Sequence, residues 1–167
     1  MNPFDALSVL AQIAVALAGF SSIIVVFRRG DAGGSWRPED VWRFRVLLEA
    51  SLSAGLLAIV PTLIASFEVD PVALWPRLSI ACAVYSSAYI VRTIRQFRAL
   101  PKGSLIVPLA VALYALGSAT IVIQLLCGIG WLAPLSAGPY VSGVVWYTTW
   151  AGVAFYRLLM APIASAQ

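Results

Sequence analysis

The sequence predicts an all-α integral membrane protein, a five-helix transmembrane bundle with its N-terminus outside and its C-terminus inside. Three observations carry that expectation. Hydrophobic residues make up 61% of the 167 positions and charged residues only 11%, far from the balance of a soluble domain. Apolar segments recur along the chain at lengths suited to crossing a bilayer. The basic residues also gather on one side of every proposed turn. With five spans, the inner segments hold Arg28, Arg29, Arg37, Arg43, Arg45, Arg92, Arg95, Arg98, Lys102 and Arg157, and the outer side holds only Arg77.

The first segment, residues 5–28, contains Ala16 and Ala18 in an A-x-A pattern that resembles a signal-peptide cleavage site. Its flanks have the opposite polarity, since Asp5 precedes the apolar run and Arg28 and Arg29 follow it, so a retained helix is expected. Ser8, Gln12, Val15, Gly19 and Ser22 recur at spacings of four and three and share one stripe. Close helix packing is the plain reading of that stripe, and lining a water path is the sharper one.

Residues 29–37 read as a flexible glycine-rich loop, and Pro38 suits the first turn of a second helix, residues 38–67. Trp42, Arg43 and Arg45 make its opening turns interfacial, and Pro61 lies deep inside it, where a kink is expected. The connection to helix three is short, with Asp70 as cap and Pro71 in first-turn position, so helices two and three should be antiparallel neighbours.

Helix three, residues 71–98, has an uninterrupted apolar run only from Leu78 to Val91, or roughly 21 Å at about 1.5 Å per residue, too short to span. The span must therefore enclose Arg77. Ser79, Ala83, Ser86 and Ser87 suggest tight packing along it. Arg92, Arg95 and Arg98, with Arg28, Arg29 and Lys102 nearby, form a basic ridge that either marks the inner side or holds anionic lipid headgroups.

Helix four, residues 104–128, carries Pro108 early and Gln124 late. The uncharged link that follows should lie in the headgroup layer with Trp131 as anchor. Helix five, residues 139–160, holds Trp146, Tyr147 and Trp150 near its middle, where tryptophans pack against other helices and find acceptors for their N–H groups. The tail, residues 161–167, reads as unstructured.

Several chemistries are excluded. There is no histidine, which removes the usual general base, the His-containing triads and the usual haem and zinc ligands. Cys82 and Cys127 stand alone in apolar segments and read as small buried hydrophobes, and Lys102, the only lysine, lies in a loop rather than in the bundle. No nucleotide, metalloprotease or nucleophile-elbow motif appears, so no catalytic residue, metal or cofactor is expected, and the basic residues do not call for a nucleic-acid partner.

The ionisable groups inside the spans are the candidates for function. Glu49 lies roughly 11 Å from the centre of its segment, one turn after Arg45. It is either half of an interfacial ion pair or, with Ser53 one turn further in, part of an acidic ring or proton site. Arg77 either snorkels outward to Glu68 or Asp70, or meets Gln12, Gln124 and Tyr140 in a polar pocket. Two function classes follow. The first is a homo-oligomer that forms a pathway for ions or small solutes through Glu49, Ser53, Arg77 and Gln124. The second is a non-catalytic accessory or scaffold subunit that docks on a larger membrane complex through the aromatic face of helix five and the basic inner loops. In both, membrane lipids are partners, and the expected location is the bacterial cytoplasmic membrane.

Overall fold

The computed structural model describes residues 2–31, 38–67, 70–99, 107–131 and 136–160. The described residues form five helices and no strand: α1 Pro3–Asp31, α2 Pro38–Ala65, α3 Pro71–Arg98, α4 Val107–Gly128 and α5 Gly138–Met160. Three of them, α1, α2 and α4, contain stretches long and apolar enough to cross a membrane. The chain is a helical membrane protein.

Local chemistry sets the helix ends. The Asn2 side chain accepts the Phe4 amide at 3.1 Å, ahead of Pro3 in the first turn, which is an N-cap with proline where its missing N–H costs nothing. Asp70 precedes Pro71, and its carbonyl accepts the amides of Ala73 and Leu74. At the other end of α4, Gly130 takes φ 78°, Trp131 N–H bonds back to the Leu126 carbonyl and Gly130 N–H to that of Cys127. That pair of bonds is a Schellman close, and it needs a residue tolerant of positive φ where Gly130 stands. Trp131, the expected interfacial anchor, is 82% exposed just beyond it. Residues 32–37 and 100–106, Lys102 among them, Glu68 and residues 161–167 lie outside the described residues, as do the side chains of Arg28 and Arg29.

Neighbouring helices alternate in direction. The opening turns of α2 and α4 meet the last turns of α5 at one end, where Trp42, Leu109 and Arg157 lie around one cleft. At the opposite end Phe4 of α1, Trp75 of α3 and Tyr140 of α5 stack in sequence. The centre of the arrangement is α5, which touches all four other helices and packs most closely on α2. The two helices expected to be neighbours, α2 and α3, do run antiparallel, yet they meet only lightly. The bulky face of α5, with Tyr140 and Tyr147 fully buried, takes most of the contact that a short link alone would have assigned to α3.

On α3 and α4 the buried stripes are mostly small or polar and the exposed faces are mostly apolar. On α4 the stripe Ala110, Leu113, Gly117, Thr120, Gln124 and Cys127 turns inward, while Val111, Leu116, Val122 and Ile123 face out. On α3 Ser79, Cys82, Ser86, Tyr89 and Thr93 turn inward, and Val84 and Val91 face out. A water-soluble bundle does the reverse, because water rejects such continuous apolar faces. Lipid tails accept them and leave close packing and hydrogen bonds as the forces that join helices.

Candidate functional site

Most hydroxyls along these helices, exposed or buried, bond to their own helix. Ser87, Thr93, Ser118, Thr120, Thr148 and Thr149 each donate to the carbonyl four residues back, the usual refuge of a hydroxyl that has no water. The polar groups that reach across helices are therefore the informative ones, and they fall in sequence from one end of the bundle to the other.

At the end that carries most of the basic residues, Glu49 of α2 is half-buried and forms an ion pair with two arginines. Its Oε1 accepts Arg45 Nε at 2.9 Å, one turn earlier on the same helix, and also Arg92 from α3. Its Oε2 is buried and has no hydrogen-bond partner among the described residues. The pair with Arg45 is the one the spacing anticipates. Arg92 is missed by sequence, because its three-residue spacing with Arg95 and Arg98 draws it into a ridge, and nothing local to it signals a carboxylate on another helix. Arg95 and Arg98 are exposed.

One turn deeper, Ser53 is buried, donates to the Glu49 carbonyl at 2.6 Å and lies 2.8 Å from the Tyr85 phenol oxygen. The Tyr85 ring leans on that of Tyr147, with centroids 6.0 Å apart. Tyr147 in turn donates its phenol to Ser86 Oγ at 3.2 Å. Ser86 lies 3.9 Å from the thiol of Cys82, and Gln124 Nε2 donates to Cys82 Sγ at 3.3 Å and to the Pro139 carbonyl at 3.1 Å. The Tyr89 hydroxyl and Gln124 Oε1 are buried beside this line with no partner among the described residues. A buried polar atom left unbonded costs about 1–3 kcal/mol, so unpartnered atoms along one file need a reason.

Nothing in the comparisons with known proteins supplies that reason. No protein family, characterised protein or solved structure matches this chain.

Glycines make room for the file. A Cβ at Gly143 would strike the Gln124 amide nitrogen and stand 3.0 Å from Cys82 Sγ, so the amide reaches Pro139 only because α5 is bare at that point. At Gly117 a Cβ would lie 2.5 Å from the indole of Trp146, whose Nε1 donates to the Leu113 carbonyl at 2.9 Å. The expectation that a mid-helix tryptophan finds an acceptor on a neighbouring helix holds at Trp146.

The suggested pocket of Arg77, Gln12, Gln124 and Tyr140 does not assemble. Gln124 and Tyr140 are fully buried, the latter donating its phenol to the Leu57 carbonyl at 2.6 Å. Arg77 and Gln12 are exposed on the outside of the bundle. Arg77 and Glu49 lie towards opposite ends, as the alternation of helices requires. The α1 stripe Ser8, Gln12, Val15, Gly19 and Ser22 is likewise exposed along its whole length, and α1 packs through Leu7, Ala14 and Ser21 instead. Small size makes close approach possible without forcing it, and the heptad spacing of Leu7, Ala14 and Ser21 supplies a better seam for α2. The aromatic face of α5, expected to dock on a larger complex, is inside the bundle: Trp146, Tyr147 and Trp150 are all buried.

Proposed function

We propose that the chain crosses the membrane five times, N-terminus outside, and that as a homo-oligomer in a bacterial cytoplasmic membrane it provides a pathway for ions or small solutes. The observation that carries this reading is a series of cross-helix polar contacts, Ser53 with Tyr85, Tyr147 with Ser86 and Gln124 with Cys82, in which the Tyr85 and Tyr147 rings lean together and Ser86 and Cys82 share α3, bordered by buried polar atoms without partners among the described residues. The cost of leaving such atoms dry in hydrocarbon favours an interior that admits water or a small cargo. A proton is the cargo that suits hydroxyls and a carboxylate in close file.

Five spans are supported by the antiparallel order of the helices and by the roughly 34 Å length of the 23-residue α5 at about 1.5 Å per residue. α3 is the least apolar of the five because Arg77, Arg92, Arg95 and Arg98 lie exposed towards its two ends, whereas α5, which touches all four other helices, carries tyrosines, tryptophans and threonines. Arg43, Arg45, Arg92, Arg95, Arg98 and Arg157 at one end against Arg77 at the other favour the orientation by the positive-inside bias. Self-association is supported by the outward stripe on α1, where Gln12 would otherwise present an amide to lipid.

In this reading the pathway runs within each protomer, along the polar contacts that join α2, α3, α4 and α5, rather than along an axis between copies. The test is flux. Liposomes carrying the purified protein and a trapped pH dye should acidify under an imposed potential, and Glu49→Gln should change the rate while Arg45→Lys changes it less. A folded, reconstituted sample that passes neither protons nor small ions would overturn the pathway. Recovery with unlike partners after gentle extraction would favour the accessory-subunit class, which would then have to use α1.

A further inference from the structure

Between α2, α4 and α5, at the arginine-rich end, lies a cleft of about 30 Å³ that is open on one side. Leu109, Leu113 and Trp150 give it an apolar lining, and Trp42, Arg43 and Arg157 bring it polar groups. Asp40 holds the Arg43 guanidinium at 2.8 Å, which fixes its position. Arg157, in the last turn of α5, has no carboxylate within ion-pair distance among the described residues. The indole N–H of Trp42 is buried and has no acceptor there.

Arg157 gives the polar lining a cation that no carboxylate among the described residues meets, and the opening turn of α4 adds the positive end of a helix dipole. An anion with a hydrocarbon portion answers both halves of this surface: oxygens for Arg157 and the Trp42 N–H, methylenes for Leu109, Leu113 and Trp150. We propose that the cleft seats one anionic phospholipid, its phosphate at Arg157 and Trp42 and the first methylenes of an acyl chain in the apolar lining. A chain with lipid as its solvent meets such molecules at the depth where arginine and tryptophan are favoured. The cleft is too small to enclose a whole acyl chain, so it grips the part next to the headgroup and the rest lies along the bundle. This site is separate from the exposed Arg95 and Arg98, and it does not depend on the pathway.

The test uses the full chain in nanodiscs and quenching of tryptophan fluorescence by lipids brominated near the glycerol. Brominated phosphatidylglycerol should quench with about fivefold stronger apparent affinity than brominated phosphatidylcholine, roughly the weight of one arginine against an anionic headgroup. Arg157→Gln should bring the two lipids level and Arg157→Lys should keep the preference, with unchanged helical circular dichroism as the check on folding. Ala110→Leu, which narrows the cleft from α4, should weaken quenching by phosphatidylglycerol while both arginines remain. Equal quenching by the two lipids in the unaltered protein, or a preference that survives Arg157→Gln, would overturn the proposal. Loss of the preference in millimolar inorganic phosphate at constant ionic strength would also overturn it, by making the site one for free anions.

Discussion

Helices α4 and α5 are almost the same length, 22 and 23 residues, and meet opposite fates. The first is an apolar helix with a single amide, Gln124, and it turns a broad face of valine, leucine and isoleucine away from the protein. The second carries tryptophans, tyrosines and threonines and sits at the centre, touching every other helix. In water the more apolar helix would take the middle. With lipid outside, hydrocarbon side chains gain nothing by moving inward, whereas aromatic rings gain packing and their N–H and O–H groups gain acceptors. The innermost helix is therefore the one with most to bond.

The contrast can be broken from the α5 side first. Trp146→Ala should cost about 3–5 kcal/mol, the range for emptying a buried aromatic site, because the ring fills the notch at Gly117 and packs edge-on to Tyr89. Reversible unfolding in mixed micelles measures it, and a loss below 1 kcal/mol would mean that α5 is not the central packing element. Gly117→Val attacks the same contact from α4. Overpacking at a close approach costs about 1–3 kcal/mol, and the double substitution with Trp146→Phe should recover part of that loss.

A smaller effect belongs to the polar file. Gly143→Ala pushes on the Gln124 amide, whose far end can yield, so about 1–2 kcal/mol is expected, with the loss reduced in a Gln124→Ala background, where only the close approach to Cys82 Sγ remains. Gln124→Leu alone should change stability by less than about 1 kcal/mol in either direction. It removes two donated bonds and one unpartnered acceptor together, and the Pro139 carbonyl keeps the Ser142 hydroxyl at 2.7 Å. If the file conducts, the same substitution should lower flux in the liposome assay despite its small effect on unfolding. On the outer face of α4, Leu116→Ala should fall within about 0.5 kcal/mol, because lipid replaces the lost contacts. A loss above 2 kcal/mol there would reveal a protein neighbour on that face.

The number of helices and the openings of α2 and α3 were legible along the chain, since that punctuation is local. Pro38 and Pro71 open α2 and α3 as expected, whereas the Asn2 cap, which starts α1 at Pro3 rather than at residue 5, and the Gly130 close after α4 went unread although both are local. The pairing of Arg45 with Glu49 was legible for the same reason, being one helical turn. What could not be read is which face of each helix turns inward, because small residues in lipid mark surfaces that can approach rather than surfaces that do. The stripe on α1 and the one on α4 have the same spacing, yet the first is exposed and the second buried.

By itself, then, the sequence determined the solvent of this protein, the number of helices and the concentration of basic charge at one end, all properties of segments a few turns long. Only the tertiary structure decided that α5 takes the centre, that Arg92 reaches Glu49, that Gln124 joins Cys82 while Gln12 and Arg77 stay outside, and that a cleft forms between Trp42 and Arg157. The physical reason is the loss of hydropathy as a guide once lipid surrounds the helices. Their mutual arrangement then depends on shape and on hydrogen bonds between residues tens of positions apart, and no local pattern encodes either.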